Sequence, residues 1–342
     1  MSLDAYYDRI GDRHLAALWT RLSHLITPQP RSDCRAHRWR YTDVRPELLA
    51  AGEVITAEEA ERRVLILENP GLPGSSKVTT SLYAGMQLVL PGEVAPSHRH
   101  SQSALRIIVE GSGAYSVVDG ERVTMETGDL VLTPPMTWHD HGSDGDGPTI
   151  WLDALDIPVV GFFDASFLER STEAARAVTR PDGDSLNRYG AGLLPVGSRP
   201  SGGASPIASY PYSRTREVLA RLAKDSDPDP WHGVKVAYTN PLTGGDVLST
   251  MSAWAQLLPS GWTSAPYRST DATVLIAIEG RGRTRIGDQV FDWRAGDVVV
   301  VPSWSWARHE ADEESVLMSY SDQAAQRALG LWREERTGAR PE

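Results

Sequence analysis

The sequence predicts an all-β-dominated protein of two tandem barrels, with a helical arm before the first and a helix after the second. Two observations carry this expectation. From about Ser76 to Pro158, and again from Gly233 to about Tyr320, the chain breaks into short β-type runs punctuated by Gly, Pro and Asp, the texture of a sandwich or barrel. The two blocks also repeat one another. Gln87–Gly92 (QLVLPG) aligns with Gln256–Gly261 (QLLPSG) at an offset of 169, and Val109-Glu110-Gly111 with Ile278-Glu279-Gly280 at the same offset. Gly128-Asp129-Leu130-Val131 aligns with Gly296-Asp297-Val298-Val299 at 168, as does Pro134 with Pro302. Four matches in order, at an offset steady to one residue, mark a duplicated unit.

The elements follow in order. In the arm and lead-in, residues 1–75, the apolar positions Leu15, Leu18, Trp19, Leu22, Leu25 and Ile26 recur at three and four residues until Pro28, which predicts a helix packed on the body or on a neighbouring subunit. The first barrel, residues 76–165, contains the β-type runs Met86–Leu90, Ile107–Val109, Tyr115–Val118 and Leu130–Leu132, with Asp119-Gly120 as a hairpin turn. Residues 166–232 read as a linker, Gly-, Pro- and Ser-rich over Arg180–Pro211, with a short helix near Thr215–Lys224. The second barrel spans 233–320, and residues 321–342 form the closing helical stretch, centred on Asp322–Arg336.

Composition narrows the function classes. The 342 residues carry a formal net charge of −11, and no basic face is visible for a nucleic-acid backbone. Cys34 is the one cysteine, so no intrachain disulfide forms and a reducing compartment fits. The charged start of the chain lacks the apolar core of a signal peptide, and no apolar run reaches membrane-spanning length. The expectation is a cytoplasmic protein with neither nucleic-acid nor membrane partners.

The histidines cluster. Four of the nine fall in His98-Arg99-His100 and His139-Asp140-His141. Side chains two apart on a strand share a face, so His98 and His100 point into one interior. The Gly128–Pro135 unit is positioned to carry His139 back across the barrel, giving three imidazoles with open positions opposite. In the second block the counterparts are Tyr267, Ser269 and Ala307, so that barrel is expected to hold no metal; His309 matches His141, which is not a ligand position.

These segments resemble the cupin motifs. Gly92-x5-His98-x-His100 followed by Gly111 is similar to the first motif, G-x5-H-x-H-x(3–4)-E-x6-G. Gly128-x5-Pro134-x-Met136-x2-His139-x3-Ser143 is similar to the second, G-x5-P-x-G-x2-H-x3-N. The glutamate ligand usual in cupins is replaced by Ala104. Three neutral imidazoles leave the metal's full charge, which favours an anionic chelating substrate. Arg106, on the same strand face as Ala104, is placed to pair with a carboxylate. More of the chain, including HRHSQSALRIIVEG (His98–Gly111), LYAGMQ (Leu82–Gln87), TPPMTWHDHG (Thr133–Gly142), WLDALDIP (Trp151–Pro158) and TNPLTGGDV (Thr239–Val247), resembles the bicupin gentisate 1,2-dioxygenase family.

The resemblance implies an Fe(II)-dependent, extradiol-type enzyme. It would use O2 to open an aromatic acid between the carboxyl-bearing carbon and the ortho hydroxyl- or amino-bearing carbon. By resemblance His98, His100 and His139 are the iron ligands, and Arg106 binds the substrate carboxylate. Arg62, Gln87, Gly85 and Tyr83 line the pocket, His141 is an acid/base for the ortho group or for O–O cleavage, and Asp153 is a support. Gentisate is the first candidate substrate, with 5-substituted salicylates and anthranilates, 5-nitroanthranilate among them, as competitors. A homo-oligomer, specifically a tetramer, is implied as well. Two other classes fit a cupin: an isomerase or lyase using another divalent metal, and a non-enzymatic small-molecule-binding module.

Overall fold

The duplication sets the architecture. In a computed structural model, which describes residues 1–173, 175–192, 196 and 203–337, each repeat folds into a pair of antiparallel sheets. In the first barrel a six-stranded sheet runs in the order 209–210, 130–133, 104–110, 149–155, 83–89, 64–66. It faces a five-stranded sheet ordered 168–170, 94–100, 139–143, 112–118, 121–126. The second barrel repeats this with 37–39, 298–301, 273–279, 315–321, 252–258, 234–237 facing 289–294, 281–286, 307–311, 267–269, 334–336.

Burial explains why these strands read as apolar runs. Ala104–Ile108 is buried at every position, because one face of its sheet lines the barrel and the other meets the second barrel. Inward residues form a cluster that includes Val89, Ile108, Val118, Val131 and Trp151. The outward ones, among them Met86, Leu88, Leu105, Ile107 and Leu152, join Ala255, Leu257, Val274, Ile276, Val316 and Met318 in the largest core of the protein. At about 1.5–3 kcal/mol per fully buried large side chain, this shared core is what makes one body of the two barrels.

The lead-in segments are exchanged. His37–Trp39 precedes the first barrel but pairs with Val298–Val301 of the second. Ser209–Tyr210 precedes the second barrel but pairs with Leu130–Val131 of the first. A helix follows each, Tyr41–Val54 and Tyr212–Asp225. Each helix starts with a tyrosine straddling both barrels. The Tyr41 amide donates to Asp297 of the second and its hydroxyl to Glu110 of the first, at 2.8 and 2.7 Å. The Tyr212 amide donates to Asp129 of the first and its hydroxyl to Glu279 of the second, at 2.8 and 2.6 Å. Gly128 and Gly296 leave the two tyrosine rings their room, since a side chain at either would strike the ring.

Several local expectations hold. Asp119 and Gly120, both at positive φ, turn the hairpin between Ser112–Val118 and Glu121–Glu126, and the helix expected near Thr215–Lys224 runs Tyr212–Asp225. Others are corrected. The helix expected over Leu15–Ile26 is broken. A helix at Leu3–Gly11, N-capped by Ser2, ends before His14 at positive φ, and only a 3-10 turn (Leu18–Thr20) and one helical turn (Leu22–Leu25) follow. Ala17 is extended and Arg21 lies outside helical φ, so the segment is interrupted twice and only short turns remain, too short to propagate as one helix. The closing helix covers Gln323–Ala328. Glu334–Arg336 is instead a strand paired with Tyr267–Ser269, as Leu168–Arg170 pairs with His98–His100. Within the expected linker, Asp184–Tyr189 is helical; residues 193–195, 197–202 and 338–342 lie outside the described residues. Among the described residues no helix is long and apolar enough to cross a membrane.

Candidate metal centre and acid pocket

The three imidazoles come from neighbouring strands of one sheet. His98 and His100 lie on Val94–His100, and His139 begins His139–Ser143 directly opposite His98. The sequence reading carried His139 across the barrel; it is instead a lateral neighbour. The pairing shifts register between Ala95 and His98, an irregularity of the kind that re-aims side chains beside functional sites. The turn before His139 has Met136 at φ 55, where the motif calls for glycine. Its amide donates to the His100 carbonyl at 2.7 Å, which ties the turn to the ligand strand and holds the left-handed backbone without a glycine.

One ligand atom from each of His98, His100 and His139 lies within 4.8 Å of the others. His100 Nδ1 meets the Gln102 carbonyl and His139 Nδ1 the Thr137 carbonyl, both at 2.9 Å. Such a bond places the proton on Nδ1 and leaves the Nε2 lone pair for a metal. His139 Nε2 is buried without a protein partner. Burial, followed by the neighbouring arginines and histidines, pushes His98 down to about 2 and His139 well below its usual range; burial likewise takes His100 to about 4. All three are neutral and ready to coordinate. Ala104 is fully buried, so a wall methyl stands where a carboxylate ligand would be.

The facing sheet supplies the charges. Asp153 sits between Arg106 on one neighbouring strand and Gly85 on the other. Arg106 Nε lies 3.0 Å from Asp153 Oδ1, with both side chains buried, and Nη1 donates to Thr133 Oγ1 at 2.6 Å. Among the described residues no hydrogen bond reaches the second terminal nitrogen. Arg62 is placed by a capped turn: Thr56 and Glu59 bond reciprocally around Ala57–Ala60, and Glu61 at φ 54 swings the chain back. Burial, then repulsion from Arg106, pulls Arg62 down to about 10, and its Nη2 has no partner. Gln87 Nε2 and His141 Nε2 are buried and unpartnered as well. Native interiors leave few polar atoms unsatisfied, so this concentration inside one barrel marks a place for a polar ligand.

His141 is fully buried, lies well below its usual range through burial and then Arg106, and meets Ser116 Oγ through Nδ1 at 2.7 Å. Gly85 is spanned by Val64, whose Cγ1 would be 2.3 Å from an added Cβ, and by the Tyr83 hydroxyl at 2.8 Å. Thr133, Ser116 and Val64 escaped the sequence reading. Each acts through a neighbour, and the only signal was its inward position on a strand.

The second barrel has the same frame without the chemistry. Tyr267 stands opposite Ala307 where His98 stands opposite His139. The row Gly85–Asp153–Arg106 becomes Trp254–Ser319–Leu275. His309 repeats the His141 bond, with Nδ1 2.9 Å from Thr284 Oγ1.

Comparisons with known proteins agree with this geometry. The cupin domain model matches residues 85–155. The chain is 55% identical to gentisate 1,2 dioxygenase 1 of Aquipseudomonas alcaligenes over 331 residues, 97% of this chain and 95% of that protein. It is 36% identical to 5-aminosalicylate 1,2-dioxygenase of a Comamonas species, over 97% and 90% of the two chains. The crystal structure of salicylate 1,2-dioxygenase from Pseudoaminobacter salicylatoxidans as a gentisate adduct superposes with a TM-score of 0.93 at 33% identity, covering 98% of this chain and 94% of that one.

Proposed function

The chain belongs to the gentisate 1,2-dioxygenase family and is a ring-cleaving dioxygenase; from that membership we propose that its metal is Fe(II) and its first substrate gentisate. We keep 5-substituted salicylates and anthranilates, such as 5-nitroanthranilate, as competing substrates. The observation that carries the reading is the three-imidazole cluster facing an arginine that Asp153 and Thr133 hold in place. An isomerase using another metal or a binding module would not account for the dioxygenase relatives.

The residues present fit the metal. Held by His98, His100 and His139, Fe(II) would supply open positions where the chelating acid and O2 meet and exchange electrons. The protein does the rest. The second terminal nitrogen of Arg106 binds the substrate carboxylate, Arg62 adds a second positive charge, and the Gln87 amide donates to a ring substituent. Tyr83 and Gly85 form the wall beside the ring. Asp153 fixes the fork of Arg106 from behind. His141, turned by Ser116 so that Nε2 faces inward, takes the ortho proton and returns it during cleavage. Because His309 makes the same bond in the metal-free barrel, the orientation of His141 belongs to the fold, and only its surroundings are special to the first barrel. The carbon–carbon bond between the carboxyl-bearing and ortho-substituted carbons breaks, and both atoms of O2 enter the product. We include homo-oligomeric assembly, with a tetramer as the implied size, in the proposal.

The deciding experiment loads the protein with Fe(II) without air. Air is then admitted with gentisate, salicylate, 5-aminosalicylate, 5-nitrosalicylate or 5-nitroanthranilate, while O2 and ultraviolet absorbance are followed. Uptake matched by loss of the aromatic band is expected. No uptake with any of the five would remove the substrate assignment.

A further inference from the structure

Loss of the metal ligands has not led to a filled second barrel. A cavity of about 620 Å³ lies there, bordered by Lys235, Trp254, Tyr267, Ser269, Asp271 and Arg336 among others, within the size range of small-molecule sites. Tyr267 and Ser269 are the very positions that carry His98 and His100 in the first barrel.

The cavity is bordered by one lysine. The chain has only three lysines, Lys77, Lys224 and Lys235; elsewhere its positive charges are arginines. Lys235 is half-buried and its ammonium lies 4.7 Å from the centroid of the Trp254 ring. Among the described residues it forms no ion pair at contact distance; Asp271, Glu334 and Asp229 act on it only from further off and hold their hydrogen bonds elsewhere. Asp271 accepts the Trp332 indole N–H at 2.8 Å, Glu334 pairs with Arg336 at 2.9 Å, and Asp229 accepts the amides of Trp231 and His232, each at 2.9 Å. Asp227, also on the cavity wall, is exposed. The two neighbouring histidines are neutral and add no further positive charge: burial takes His232 to about 2 and His309 to about 4. Burial also brings Lys235 down to about 8, against the pull of Asp271, Glu334 and Asp229.

The registers show what was exchanged. Val64 pairs with Gln87 in the first barrel and Lys235 with Gln256 in the second, so Lys235 replaces Val64. The first barrel's Arg106 is lost, with Leu275 in its place. A new cation stands one strand over, against the tryptophan that replaces Gly85. We propose that the second barrel is a non-catalytic binding site for a small carboxylate, whose anion meets the Lys235 ammonium beside Trp254 inside the cavity. The carboxylate has two possible sources, an intact aromatic acid or an acyclic dicarboxylate of the ring-opened type.

Equilibrium dialysis of the Fe(II)-loaded, air-free protein separates these. With labelled salicylate as the aromatic probe and labelled maleate as the acyclic one, at least one is expected to occupy a site that Lys235→Met weakens about tenfold or more. Lys235→Arg retains that site, and iron content is unchanged. A second readout uses the wild-type chain. After reductive methylation with ¹³C-formaldehyde, the three lysines give separate signals, and the Lys235 signal alone shifts on adding the probe that binds. The site is refuted if neither probe moves that signal, or if binding of both is the same in Lys235→Met as in wild type. Neither outcome touches the ring-cleavage assignment, which is read from O2 uptake at the first barrel.

Discussion

His98 and His139 face one another across adjacent strands with ring centroids 4.6 Å apart, and at the same point of the second barrel Tyr267 faces Ala307. A phenol kept protonated by burial, opposite a methyl, offers a metal nothing comparable. One metal ion per chain is therefore expected, and His139→Ala should lose it, because two imidazoles hold a divalent ion weakly. Metal analysis after washing with chelator checks this. Two equivalents retained per chain would contradict it.

Arg106→Ala should leave the metal in place and remove a buried charge-assisted bond to the substrate, about 1.5–3 kcal/mol, so that affinity falls at least about tenfold. The change also leaves Asp153 buried without its counter-charge, which costs about 3–5 kcal/mol of stability, and thermal unfolding reads that cost separately. Arg106→Lys should recover part of the stability and little of the binding, since a point charge cannot match the fork. Wild-type affinity in Arg106→Lys would contradict a role for the guanidinium fork that Asp153 and Thr133 hold.

Asp153→Asn keeps the shape and removes the charge that orients Arg106. The expected signature is a raised KM with unchanged iron content. A fall in kcat at constant KM would instead place Asp153 among the reacting groups.

The methyl of Gly85→Ala clashes with Val64 Cγ1 and the Tyr83 hydroxyl, so these side chains must move out of its way. Such a change moves discrimination by about 1–3 kcal/mol. Turnover is expected to narrow toward gentisate over salicylate, 5-nitrosalicylate and 5-nitroanthranilate, and adding Val64→Ala should restore the original kcat/KM ratios by making room. Ratios unchanged in Gly85→Ala would take the glycine out of the specificity argument.

Tyr41→Phe and Tyr212→Phe each remove a hydrogen bond to a carboxylate at the seam between the barrels. Each should lower stability by about 1.5 kcal/mol, with similar values because the two sites are equivalent. Calorimetry of both variants is the check, and a large asymmetry would show that one seam dominates.

The clustering of the three histidines and the duplication were legible because both are local. His98-x-His100 states a shared strand face, and a fixed offset survives wherever loops keep their length. The position of Arg106 opposite Asp153 depends on which strands become neighbours, and a single sequence does not specify that. The same gap hid Ser116 behind His141 and Val64 behind Gly85. Met136 departed from the motif glycine, and only the backbone shows that its left-handed φ is kept. The helix expected over Leu15–Ile26 failed for a different reason: periodicity records an apolar stripe, not where the backbone leaves the helical conformation. Nothing in the charged pattern Glu334–Arg336 announced a strand, since its pairing with Tyr267–Ser269 is purely tertiary.

The exchanged lead-in strands constrain the order in which the protein is made. A nascent chain that has just released Leu155 holds every metal ligand, yet the edge beside Leu130–Val131 stays open until Ser209 and Tyr210 emerge. His37–Trp39, synthesised before either barrel, has no strand to join until Val298–Val301 of the second barrel arrives. Such distant pairings are slow to form and leave unsatisfied edges during synthesis. Expressed alone, the first barrel would present to its neighbours the apolar face that the second barrel normally covers. The silent barrel is thus a fixed companion: it cannot be trimmed away to leave a smaller working enzyme.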